Sequence, residues 1–134
     1  MAPNIPAMYE MHFGVPMAGA VLNTLNIRLN AQTMASLLQH SESKAVFVDY
    51  QYLPLIYESM EILSHEASVL PTIVVIHDQL AAEPTSDFKE LDYESLLKKG
   101  DSGFNFQWPT DEWETISLNY TSGTTSRPKG VVYH

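Results

Sequence analysis

The chain has 134 residues, of which 45% are hydrophobic and 17% charged, a composition that supports one packed domain and excludes a disordered polar chain. Seven Lys and Arg against sixteen Asp and Glu leave a formal charge of −9, which argues against general affinity for nucleic acid or for an anionic membrane surface. Cysteine is absent, so disulfides, thiolate metal sites and a cysteine nucleophile are excluded as well.

Asn4 and Pro6 mark a helix start, and Met8, Met11, His12 and Val15 follow at near-helical spacing. Gly14 and Pro16 should kink or end that helix. No basic residue precedes this apolar stretch, so it does not read as a secretory signal. Residues 20–27 read as a strand or extended segment. Asn30 is a plausible cap for a helix over about Ala31–His40, with Met34, Leu37 and Leu38 on one face.

Ala45–Asp49 is a short apolar run of buried-strand type that ends in an acid. Pro54 opens a second helix, whose stripe of Leu53, Ile56, Met60 and Leu63 runs to about His65. Thr72–His77 is the clearest buried strand. Strands alternating with helices at this spacing predict an α/β fold with a mostly parallel sheet and flanking helices. No apolar run approaches the roughly 20 residues that span a bilayer. The chain therefore reads as intracellular, either cytoplasmic or organellar, the peroxisome included.

Residues 79–114 change character. They are acidic and carry Pro84, Gly100, Gly103 and Pro109, so they read as a surface excursion with one short helix near Tyr93–Lys98. Residues 115–120 return to strand, and Val131–His134 reads as the opening of another. Charge follows the same division: residues 1–77 carry a net −4, residues 78–114 a net −7, and residues 115–134, which hold no acid, a net +2.

That one basic stretch contains the sharpest motif, Tyr-Thr121-Ser122-Gly123-Thr124-Thr125-Ser126-Arg127-Pro128-Lys129-Gly130. Hydroxyl side chains crowd around Gly123, which lets the backbone turn and approach a ligand closely. Successive N–H groups in such a turn make an anion-binding concavity, and Lys129 adds a compact positive charge. Phosphate oxygens are the natural target. The Walker loop fails on three counts: Pro128 precedes the lysine, Gly130 follows it, and the next residues read as strand rather than helix.

The motif instead resembles the phosphate-binding signature of the adenylate-forming superfamily, the acyl- and aryl-CoA synthetases and their plant-type acyl-activating relatives. It matches Tyr-Thr-Ser-Gly-Thr-Thr-Gly-x-Pro-Lys-Gly everywhere except Ser126. Pro3–Pro6, Met17–Val21, Asn26–Leu29 and Ser43–Asp49 resemble the same family's N-terminal domain in order.

The resemblance implies that residues 1–134 form part of the large N-terminal AMP-binding domain, incomplete here, with residues 121–130 as phosphate loop. It implies an ATP-dependent carboxylate–CoA ligase that forms an acyl-adenylate and passes the acyl group to coenzyme A. Thr121, Ser122, Gly123, Thr124, Thr125 and Lys129 would hold the phosphates, with Mg²⁺ bridging them. Catalytic residues are expected downstream and none within this chain. The expected partners are a small carboxylate substrate and the missing C-terminal portion of the same enzyme; the isolated piece is expected to be inactive. The competing readings are an inactive truncated remnant and an α/β module using the loop for another phosphate ligand.

Weaker candidates have plainer readings. His12, His40, His65 and His77 lack metal-ligand spacing, and no metal site is expected. His134 reads as a strand-end histidine. Asp111, Glu112 and Glu114 read as a solvated acidic loop, the methionines as core filler, and Arg28 as half of a structural ion pair.

Overall fold

The computed structural model describes residues 1–77, 89–106, 108–121 and 128–134. The chain divides into two compact units, one of residues 1–5 and 26–100, the other of residues 6–25 and 101–134. Each has its own three-stranded sheet.

In the first unit, β2 (Ala45–Asp49), β3 (Thr72–Ile76) and β4 (Leu91–Asp92) lie side by side in that order, all parallel. The β2–β3 register pairs Val46 with Ile73 and Val48 with Val75. Parallel neighbours need a crossover, and the helix α3 (Leu53–Ser64) supplies it between β2 and β3. Pro sits in the first turn of α3, where its missing N–H costs nothing. The stripe of Leu53, Ile56, Met60 and Leu63 is buried, as its spacing requires.

The helix α2 (Ala31–His40) packs against α3. Its start is set by Asn30, whose side-chain oxygen accepts the Thr33 N–H at 2.9 Å while its backbone stays extended. Met34, Ala35, Leu37 and Leu38 are buried, Met34 completely, so this methionine and Met60 do fill core. Met34, Leu38, Ile56, Val48 and Val75 form the centre of this unit.

Two buried polar residues interrupt that core. Ser59 is satisfied by its own helix, donating to the Leu55 carbonyl at 2.7 Å. Asp49 closes β2, and its Oδ1 accepts the Gln51 N–H at 3.1 Å, capping the 3₁₀ turn Tyr50–Tyr52. Residues 91–97, inside the acidic stretch, supply β4 and the short helix α4 (Tyr93–Leu97), whose Tyr93 is buried edge-on to Phe47. Asp92 caps α4 by accepting the Ser95 N–H at 2.8 Å.

The second unit holds the helix α1 (Pro6–Met17), β1 (Leu22–Thr24), β5 (Ser117–Thr121) and β6 (Lys129–Tyr133). Gly14 does not break α1, which runs one residue past Pro16 and ends where Gly19 adopts a φ of 73°. Only Ala7 of this helix is buried, and Tyr9 and Phe13 stack on each other in solvent. β1 is shorter than the extended run at residues 20–27. The sheet order is β1-β5-β6, with β1 parallel and β6 antiparallel to the central β5.

Two outcomes check these local causes. Asn30→Ala should destabilise the chain by about 1 kcal/mol in a denaturant titration, and Asn30→Ser should restore most of that. The hydrogen bond with Ser95 holds the Asp92 carboxyl below the usual carboxylate range. Its stabilising effect is therefore complete above the ordinary carboxylate pKa and lost as pH falls through the lower folded value. Asp92→Asn should accordingly flatten the acid limb of the unfolding profile.

Candidate functional site

The motif segment joins β5 to β6. Because β6 runs antiparallel to β5, the chain leaves one strand and re-enters the other at the same end of the sheet, with Thr121 directly opposite Lys129. That end is also the carboxyl end of the parallel β1–β5 pair. In open α/β sheets, ligands bind outside the carboxyl ends of parallel strands, where connecting segments converge. Of the six motif residues expected to hold phosphate, Thr121 and Lys129 are thus brought together as facing partners, both exposed. Ser122, Gly123, Thr124 and Thr125 lie outside the described residues.

The register also sorts side chains by face, since strand neighbours alternate. Leu22 and Thr24 of β1, Ser117, Asn119 and Thr121 of β5, and Lys129, Val131 and Tyr133 of β6 share one face. Asn23, Leu118, Tyr120, Gly130 and Val132 share the other. The first face is polar where it approaches the motif: Thr24 Oγ1 donates to Asn119 Oδ1, and Asn119 Nδ2 donates to Ser117 Oγ at 3.3 Å. On the second face burial pushes the Tyr120 phenol above its ordinary pKa.

Gly130 serves packing at this position. A Cβ there would sit 3.0 Å from Leu118 Cδ1 and 3.4 Å from Tyr120 Cε1, so the motif's last glycine leaves room for two larger side chains of β5. Residues 129–133 are strand, whereas a Walker loop would open a helix at this point. The segment 115–134 contains no carboxylate side chain, so Lys129 meets no acidic residue from its own hairpin.

The remaining candidates make local contacts or stand exposed. Asp111 Oδ1 accepts the Trp113 N–H at 2.9 Å, and Glu114 Oε1 accepts from Thr110 Oγ1 at 2.7 Å. Both are exposed turn contacts, as a solvated acidic loop would make. His134 is exposed, its ring 4.4 Å from that of Trp113. His12 Nδ1 lies 2.7 Å from the Met8 carbonyl, one helical turn back. Arg28 is exposed, and its backbone N–H donates to Asn26 Oδ1 at 2.9 Å. Among the described residues, no three His, Asp or Glu side chains are grouped to hold a metal ion.

Comparison with known proteins places the chain in a family. The family described as AMP-binding enzyme matches residues 1–134, and the chain belongs to it. The chain is 49% identical to the peroxisomal acetate/butyrate–CoA ligase AAE7 of Arabidopsis thaliana over 142 residues, covering 100% of this chain and 25% of that protein. It is 49% identical to the acetate–CoA ligase CCL3 of Humulus lupulus, covering 98% of this chain and 24% of that protein.

Among solved structures, the anthranilate–CoA ligase AuaEII in complex with anthranoyl-AMP superposes with a TM-score of 0.73 at 25% identity, over 91% of this chain and 21% of that one. The luciferase-like enzyme of Zophobas morio superposes with a TM-score of 0.74 at 21% identity, over 98% of this chain and 29% of that one. The chain thus spans about a quarter of the length of the curated relatives it matches, and its fold is that of the N-terminal domain of adenylate-forming enzymes.

Reading the motif alone misses Thr24, Ser117 and Asn119. For Ser117 and Asn119 the sequence carries one signal, the polar alternation 117, 119, 121 along a strand, which places three hydrogen-bonding side chains on one face; Thr24 has none. Substituting Gly130 by Val should overpack the hairpin and lower stability by about 1–3 kcal/mol, read as a drop in thermal midpoint. Gly130→Val combined with Leu118→Ala should recover part of it.

Proposed function

We propose that this chain supplies the ATP phosphate grip of an AMP-forming carboxylate–CoA ligase. The observation that carries the reading is the pairing of Thr121 with Lys129 across the open end of the β5–β6 hairpin. A hydroxyl donor and an ammonium face each other there, flanking a Ser/Thr/Gly-rich segment within residues 115–134, which carry a net charge of +2 and no acid.

In the proposed reaction a substrate carboxylate attacks the α-phosphorus of ATP, and pyrophosphate leaves. Thr121 donates a hydrogen bond to the departing phosphate, together with Ser122, Gly123, Thr124 and Thr125 of the motif. Lys129 offsets the negative charge that builds on the leaving group, and that charge is greatest in the transition state. Coenzyme A then displaces AMP from the acyl-adenylate. The residues for that second step, and those that hold the adenine, belong to the remainder of the enzyme.

Mg²⁺ fits this donor set in one way. With no carboxylate side chain in residues 115–134, the hairpin would offer it only hydroxyl oxygens beside the phosphate oxygens of ATP, and any acidic ligand would come from elsewhere. The substrate is a small carboxylate, in keeping with the acetate, butyrate and cinnamate ligases among the relatives. Several of those relatives are peroxisomal, and the same compartment is proposed for the enzyme to which this chain belongs.

The test exchanges quarters between relatives. This chain, transplanted into the corresponding segment of the hop acetate–CoA ligase, should support acetate-dependent ATP–pyrophosphate exchange. Lys129→Ala in that chimaera should lower the exchange by about tenfold or more while its far-ultraviolet circular dichroism stays unchanged. A folded chimaera without exchange, or a Lys129→Ala variant with the full rate, would sink the proposal. The 134-residue chain alone should show no exchange with any carboxylate.

A further inference from the structure

The three-stranded sheet does not reach the candidate site with all its strands. β1 ends at Thr24, opposite Asn119, so Tyr120 and Thr121 extend beyond it, and among the described strands β6 is the one that pairs with them. The Thr24–Asn119 rung is therefore the last lateral tie between β1 and the strand that delivers Thr121. A pairing of three residues contributes few ladder hydrogen bonds, and register is weakly specified where so few rungs exist.

At that last rung the side chains add what the backbone lacks. Thr24 Oγ1 donates to Asn119 Oδ1, a contact between residues 95 positions apart in the chain, and Asn119 Nδ2 reaches Ser117 Oγ at 3.3 Å. Both contacts are partly buried, where a hydrogen bond is stronger than in open solvent. They lie on the face that carries Thr121 and Lys129. Sliding β1 by one residue would turn Thr24 to the opposite face, and sliding it by two would move it off Asn119 along the strand. Either slip breaks the bond, so the bond selects the observed register.

We propose that Thr24 and Asn119 are positioning residues for the phosphate grip: the β5–β6 register sets the face on which Thr121 lies, and the Thr24–Asn119 hydrogen bond anchors the end of β5 that carries it, fixing where the Thr121 hydroxyl stands. This inference rests on the phosphate reading of the hairpin. Neither side chain touches the ligand; both act through the placement of Thr121. Misplacing a ligand-binding group by about an ångström can cost roughly two orders of magnitude in a preorganised site.

The experiment titrates the 134-residue chain with inorganic pyrophosphate and follows the ³¹P resonance, which detects millimolar affinity. Thr24→Val keeps the branched shape and removes the donor; it should weaken pyrophosphate binding by about tenfold. Thr24→Ser keeps the donor and should bind within about twofold of the unaltered chain, a rescue that packing alone would not produce. Leu118→Ala lowers stability from the opposite face and should leave affinity unchanged. If Thr24→Val does not fold, Asn119→Ala provides the same comparison from the other partner.

Pyrophosphate binding by Thr24→Val equal to that of the unaltered chain overturns the positioning role and leaves the phosphate reading standing. Equal weakening by Leu118→Ala also overturns it, because affinity would then merely track stability. No binding by the unaltered chain overturns both.

Discussion

The two-residue period of a β-strand, applied to the β5–β6 pair, is the constraint on which the candidate site depends. Thr121 and Lys129 are eight positions apart in sequence, yet antiparallel pairing makes them neighbours and places both side chains on one face. The same parity puts Ser117 and Asn119 behind Thr121, and Val131 and Tyr133 behind Lys129. It also sends Gly130 to the other face, where a Cβ would press on Leu118 Cδ1 at 3.0 Å and on Tyr120 Cε1 at 3.4 Å. A shift of one residue in this pairing would separate the hydroxyl from the ammonium and drive a larger residue into the space that Gly130 leaves.

The two units answer to different forces. The first has an apolar centre of Met34, Leu38, Val48, Ile56 and Val75, all fully buried, so hydrophobic burial dominates its stability. The second buries far less: β5 is half-buried along Ser117–Tyr120, and β6 is exposed throughout. Its order depends correspondingly more on ladder and side-chain hydrogen bonds.

Local signals made much of this fold legible. Asn30 and the Met34–Leu37–Leu38 stripe place α2, because cap and amphipathic face are both short-range features. Ala45–Asp49 and Thr72–Ile76 are strands for the same reason, each a compact β-branched run. Gly14 reads as a helix breaker and is not one, since glycine costs an exposed helix only about 1 kcal/mol. The partition of strands between two sheets was not readable, because β1 pairs with β5 across more than ninety residues and nothing local encodes that choice.

The candidate site divides along the same line. Its motif and its lysine were legible as a resemblance, and the facing of Thr121 and Lys129 becomes clear once residues 129–133 are strand. The Thr24–Asn119 contact is a product of tertiary pairing and has no local signature. The most direct measurement of the central claim is an amide chemical-shift titration of the ¹⁵N-labelled chain with Mg²⁺-ATP. Shifts should concentrate at Thr121, at Lys129 and in the motif residues between them. Shifts confined to the carboxyl ends of β2 and β3, around Asp49 and His77, would contradict it.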